Sequence, residues 1–210
     1  MPTPISPADI AAHIRRRDRA FKSVIAAAGP PPTRRSAPVA DRYATLARSI
    51  TSQLLATKAA DTIHGRVNQL CGGTVTIDAI IDAGAAQLRT AGLSLTKAQA
   101  MVDLAQNVRE GRVRLARHGR MSDAEVVRDV TAVRGIGPWT AQMYLMGTLA
   151  RPDVWPAGDY GVRHGWSITH GLDELISERE LREAGDVFAG VRSSVAWYCW
   201  QAVHFGRSAN

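Results

Sequence analysis

The chain has 210 residues, enough to bury a core and build one domain or two small lobes. Its 26 lysines and arginines against 19 acids give a formal charge of +7, and only Lys22, Lys58 and Lys97 are lysines, an arginine-rich balance that suits a polyanion. Cys71 and Cys199 form no Cys-x-x-Cys pair and the six histidines lack ligand spacing, which argues against a zinc or iron–sulfur centre, while no signal peptide or membrane span is legible, so a cytoplasmic setting is expected.

Helical periodicity recurs along the chain and β alternation is nearly absent, so the expected fold class is all-α. Ile10 to Ala28 reads as a first helix, ended by Gly29 and the breaker run Pro30-Pro31-Pro32. Tyr43, Leu46, Ala47, Ile50 and Leu54 form the apolar stripe of a second. A third, Ala59 to Leu70, stops at Gly72-Gly73, and short helices follow near Ile77–Asp82 and Ala85–Ala91. Ser94 caps a helix through Met101, Leu104 and Val108. Ser122-Asp123-Ala124-Glu125 has capping-box spacing and opens the helix that leads to Val133. Thr140 through Leu149 reads as helix, and two more follow Asp159, near Ser177–Ala189 and Arg192–Phe205.

Val133-Arg134-Gly135-Ile136-Gly137-Pro138-Trp139-Thr140-Ala141 carries the strongest local signal. A Gly-x-Gly turn that opens a helix leaves backbone N–H groups aimed outward, which suits a phosphate. A tight connection between two helices is the plainer reading of the same glycines. Helix, tight turn and helix are what a DNA-backbone-binding hairpin needs, and such contacts position a duplex without reading its sequence.

Four segments in this order resemble the helix–hairpin–helix DNA glycosylases, and within them the AlkA-type 3-methyladenine DNA glycosylases II. Leu46-Ala-Arg-Ser-Ile-Thr-Ser-Gln-Leu-Leu55 is similar to the family's Ile-x-x-Gln helix end, and Arg89-Thr-Ala-Gly-Leu-Ser-Leu-Thr-Lys97 to its Gly-Leu-Ser-x-x-Lys turn. Val133 to Ala141 resembles the hairpin, and Trp155-Pro-Ala-Gly-Asp-Tyr-Gly-Val-Arg163 the catalytic loop. A fifth segment, Arg192-Ser193 through Trp200, resembles the C-terminal helix, so the likeness spans residues 40–205.

The resemblance implies a two-lobe fold, one lobe of about residues 45–150 and the other of 1–44 plus 151–210, with the active site in the cleft between them. It makes Asp159 the catalytic carboxylate, whose plainer reading is a helix N-cap. Trp139, Trp200 and Tyr160 become base-pocket aromatics, whose faces attract a base made cationic by alkylation. Trp197 and Tyr198 compete with Trp200 for the same helix face. Leu54 becomes the wedge that fills the gap left by a flipped nucleotide, with Gln53 beside it to steady the loop or the estranged base. Gly135, Gly137 and Thr140 become the phosphate contacts. The backbone carbonyls of Thr131, Val133 and Ile136 would hold a monovalent cation, Na⁺ or K⁺.

Trp139 stands where glycosylases that also cut the backbone carry a lysine, and a Schiff base requires an amine. The implied activity is therefore a monofunctional glycosylase that removes alkylated purines such as 3-methyladenine and 7-methylguanine from double-stranded DNA. No cofactor or iron–sulfur cluster is implied, no membrane association, and a monomer. The AlkA type carries an N-terminal β-rich domain for which no strands are legible here, so the core alone is expected; further departures are Gly158 in place of a second acid, Met143 in place of a pocket aromatic, and Phe188, Gly190 and Val191 before Arg192. Two alternatives stay open: a glycosylase for an oxidised or mismatched base, and a non-catalytic helix–hairpin–helix DNA-binding module.

Overall fold

The structure, a computed structural model, describes residues 5–53 and 55–208. It is all-α, with no strand among the described residues. In chain order the helices are α1 (Pro7–Arg17), α2 (Lys22–Ala28), α3 (Val39–Ser52), α4 (Thr57–Leu70), α5 (Ile77–Thr90), α6 (Leu95–Arg109), α7 (Asp123–Thr131), α8 (Pro138–Gly147), α9 (Tyr160–His170), α10 (Glu178–Ala184) and α11 (Arg192–Ser208). Among the described residues, no helix is long and apolar enough to cross a membrane.

Two compact units emerge, one from residues up to Arg34 together with those from Arg151 on, the other Arg35–Ala150. The division falls ahead of the boundary near residue 44 that the sequence suggests, because α3 lies whole in the second unit. There it packs against α4, α6 and α8 through Tyr43, Leu46, Ala47 and Ile50. Those four belong to the expected stripe, whose fifth member, Leu54, lies outside the described residues, and each fully buried aliphatic side chain contributes about 1.5–3 kcal/mol.

The first helix read from the sequence is in fact broken. Asp18 leaves the helical region at φ −146°, and its carboxylate accepts the Ala20 amide at 2.9 Å, capping a short 3₁₀ turn (Arg19–Phe21) before α2 begins. Periodicity alone misses this, since Ile14, Phe21 and Val24 all reach the core on either side of the break. Gly29 ends α2 at φ +73°, as expected. Gly84 at φ +63° divides α5 where the sequence separates two short helices. The capping boxes at Ser122/Glu125 and Ser177/Glu180 are both formed, each cap being worth about 1 kcal/mol.

The first unit is built on an aromatic core. Phe21 lies 5.6 Å from Trp166, 5.9 Å from Phe188 and 6.5 Å from Tyr198, mostly edge to face. Tyr198 also donates its hydroxyl to the Gly29 carbonyl at 2.9 Å, fastening α11 to the end of α2.

Candidate active site

Asp159 lies at the end of a loop that is tied down on both sides. The Trp155 indole N–H donates to the Leu181 carbonyl at 2.8 Å, and its ring lies where a Cβ on Gly185 would stand, 2.2 Å from Nε1. Pro156 accepts the Asp159 amide at 2.9 Å, closing a turn, and α9 then starts. Asp159 is its N-cap: Oδ1 accepts the Val162 amide at 2.8 Å. The plainer role foreseen for this residue is therefore real. It also fixes the carboxylate at the N-terminal end of α9.

The same Oδ1 accepts the Trp200 indole N–H at 2.9 Å. Two glycines of α9 allow this. A Cβ on Gly165 would stand 1.9 Å from the Cys199 carbonyl, so α9 and α11 touch backbone to backbone there. One turn earlier, a Cβ on Gly161 would stand 3.0 Å from the Trp200 ring and 3.1 Å from Asp159 Oδ1. Trp200 thus faces Asp159, while Tyr198 is buried in the core and Trp197 packs edge-on against Tyr198 at 4.9 Å. Cys199 is fully buried; burial pushes its thiol up and the neighbouring Asp159 charge adds to this, so it stays a thiol. Tyr160 is 63% exposed, with its ring 5.6 Å from that of His164.

Beside Gly158, where the sequence lacks a second acid, the structure brings Glu178 from the start of α10. A Cβ at Gly158 would lie 3.3 Å from its Oε2, and its other oxygen pairs with Arg182. Nothing in the local sequence points to Glu178, which is distant along the chain.

The second unit holds the hairpin, α7–turn–α8. Gly135 adopts φ +78°, and a Cβ there would stand 2.9 Å from Ala100 Cβ, so both conformation and packing require glycine. Gly137 is different. Its φ of −93° is open to any residue and nothing lies within 4 Å of where its Cβ would be. The glycine pair is thus not one conformational device: only Gly135 uses positive φ, and Gly137 leaves an exposed face at the head of α8.

The neighbouring chemistry locks this turn in place. Asp103 Oδ2 accepts the Arg134 amide at 2.8 Å. The Gln53 side-chain amide donates to the Gly135 carbonyl at 3.0 Å and to the Thr140 hydroxyl at 3.1 Å. Lys97 in turn donates to the carbonyls of Thr51 and Gln53 at 2.9 and 2.6 Å, and burial holds its ammonium below the ordinary lysine range. Gln53 thus ties the end of α3 to the hairpin turn. Thr140 is 2% exposed with its hydroxyl engaged inward, which leaves its backbone amide, in the first turn of α8, as the group to test against the expected phosphate contact. Trp139 is 44% exposed at the head of α8. Leu54, the wedge candidate, lies outside the described residues.

The Val133 carbonyl accepts the Ile136 amide at 3.1 Å, keeping one lone pair, in a turn that follows Thr131 at the end of α7. Such neutral oxygens fit a monovalent ion better than a divalent one. Among the described residues no group of three or more His, Cys, Asp or Glu side chains gathers as metal ligands.

Comparison with known proteins bears on these geometries. The family model described as "HhH-GPD superfamily base excision DNA repair protein" matches residues 47–189. DNA-3-methyladenine glycosylase 1 of Schizosaccharomyces pombe is 29% identical over 192 residues, covering 90% of this chain and 84% of that protein. Among solved structures, the 3-methyladenine DNA glycosylase of Schizosaccharomyces pombe in complex with abasic DNA superposes with a TM-score of 0.84 at 28% identity, over 91% of this chain and 95% of that one. The DNA-3-methyladenine glycosidase of Bacillus halodurans gives 0.81 at 29% identity, over 98% and 92%.

Proposed function

We infer that this chain, which belongs to the HhH-GPD superfamily of base excision DNA repair proteins, is a DNA glycosylase that releases alkylated purines, 3-methyladenine above all, and leaves an abasic site. The observation that carries the reading is the Asp159 carboxylate, held on one oxygen by the Val162 amide and the Trp200 indole. The names of its relatives supply the substrate class.

The chemistry needs one fixed negative charge. Alkylation at a ring nitrogen makes the base cationic, so when the N-glycosidic bond breaks its electron pair neutralises the departing base. The positive charge passes to the sugar as an oxocarbenium, which the Asp159 carboxylate stabilises from a preorganised position. Water then adds at the anomeric carbon and loses a proton. No acid is needed to protonate the leaving group, and Glu178, the carboxylate beside Gly158, is paired with Arg182.

The exposed face at Gly137 and the first-turn amides of α8 are the DNA-backbone contacts in this reading, since neither conformation nor packing within the chain calls for glycine there. The exposed Trp139 ring and the Trp200 ring are the aromatic faces for the cationic base, Tyr160 a further one, and Leu54 the wedge. Na⁺ or K⁺ would sit on the carbonyls of Thr131, Val133 and Ile136 and add charge where the phosphate docks. Strand cutting through a Schiff base is absent from this reading: position 139 is an indole, and Lys97 donates to the Thr51 and Gln53 carbonyls.

Incubation with methylated duplex DNA tests the assignment. Free 3-methyladenine and 7-methylguanine should appear while the strands stay intact until alkali is added. Release of no methylated base would overturn the substrate class, and strand breaks formed without alkali would overturn the monofunctional reading.

A further inference from the structure

We propose that Arg15, Arg16, Arg19 and Lys22 form a second binding site for the DNA phosphodiester backbone, in the unit that carries Asp159. It is distinct from the amide contacts of the hairpin.

Among the described residues, these four line a concavity of about 400 Å³. Two elements converge to make it: Arg15 and Arg16 come from the last turn of α1, Arg19 and Lys22 from the 3₁₀ turn and the start of α2. A single helix with an exposed basic stripe would not form a hollow. The break at Asp18 turns the chain so that the two basic pairs face one space. Asp18 is the one acid in this stretch, and it is already engaged: Oδ1 accepts the Ala20 amide at 2.9 Å, and Oδ2 lies 2.7 Å from His170 Nε2. Among the described residues no carboxylate pairs with any of the four cations.

The hollow is also held rigidly. Phe21, between Arg19 and Lys22, is fully buried against Trp166 and Phe188, and His170 stacks on Trp166 at 4.1 Å while its Nδ1 faces the Trp166 carbonyl at 2.9 Å. Gathering four like charges costs energy unless an anion offsets them. Arginine's planar fork grips phosphate oxygens in pairs, and a duplex offers phosphates at close, regular spacing. This assignment rests on the reading of the chain as a DNA-acting enzyme and adds a second point of grip.

The test is binding of an undamaged duplex over a salt series of about 50 to 200 mM, with base release by the parent protein measured separately. Each phosphate that is no longer neutralised should lower the magnitude of the log–log salt slope by about 0.9 and weaken binding about tenfold near 0.1 M salt. Arg15→Gln/Arg19→Gln should leave one to two phosphates without a cation. Arg15→Lys/Arg19→Lys should keep the slope, since the slope counts charge. The matched control Arg179→Gln/Arg182→Gln on α10 removes the same two charges and should leave the slope at the parent value. An unchanged slope in the first variant overturns the site, and an acidic protein partner for this hollow would give that same result. An equal loss in the control overturns it too, since net charge alone would then explain the effect. If the parent released no base yet the slope fell as stated, the enzymatic reading would fail and this site would stand.

Discussion

At the scale of single residues, the pairing of Trp200 with Asp159 matters most. One indole N–H and one backbone amide converge on Oδ1 and fix the carboxylate's direction. A hydrogen bond to a charged group is worth about 1.5–3 kcal/mol. Trp200→Phe keeps an aromatic face and removes the N–H, so base release should slow by about 10- to 100-fold with little change in melting temperature. If Trp200 serves only as a stacking platform, release by the Phe variant should stay near the parent rate. Gly161→Ala should act in the same direction, because its methyl would press on both the ring and Oδ1. Trp200 stood out as a candidate from its place in a helix that resembles the family's C-terminal helix. Its bond to Asp159 was not, because that bond depends on two glycines of α9 whose spacing reads as neutral in a linear pattern. Thr140 shows the opposite case: its motif position suggested a phosphate contact, while Gln53, far away along the chain, engages its hydroxyl in the interior.

At the scale of elements, close approach of helices does the positioning. α9 and α11 meet at Gly165, where a methyl group would collide with the Cys199 carbonyl. Overpacking at side-chain contacts costs about 1–3 kcal/mol, and this clash is with backbone, so Gly165→Ala should cost at least about 3 kcal/mol in denaturant unfolding. A loss under about 0.5 kcal/mol, typical of surface sites, would contradict the close packing. Helix boundaries with explicit caps were readable: Ser94, Ser122 and Gly29 act as their residue types suggest. The break at Asp18 was not, since an aspartate inside an apolar period signals a cap only once its partner Ala20 is seen. The link from α6 through Lys97 to the end of α3, and on through Gln53 to the hairpin, gives physical meaning to two segments recognised only as motifs.

At the scale of the whole molecule, a buried polar network contributes to how acid affects the fold. His118 is fully buried; its Nε2 donates to Asp129 at 2.7 Å and its Nδ1 accepts the Tyr144 hydroxyl at 3.0 Å. Burial lowers the His118 pKa from its ordinary value, and the Asp129 bond and charge offset this only in part. For Asp129, burial alone would raise the carboxyl, but the Arg114 amide and His118 outweigh it and hold the group below its usual range. Both folded values are depressed. Their contributions are therefore present above the unfolded values and are lost as pH falls, His118 first, below about pH 6.5, and Asp129 later. Denaturant midpoints should thus drop between about pH 7.5 and 5, and His118→Gln, which retains a donor for Asp129, should flatten that drop. Stability that rose on acidification over this range would contradict the network's assigned charges.

The central claim is that the Asp159 carboxylate drives loss of the base. Single-turnover release of 3-methyladenine from methylated duplex DNA, by the parent protein and by Asp159→Asn, tests it most directly. The asparagine can still cap α9 and accept the Trp200 N–H, so the fold should hold while the charge is lost. Release should fall by about 10²- to 10³-fold, the loss expected when one preorganised electrostatic group is removed. Release by Asp159→Asn at the parent rate would contradict the account.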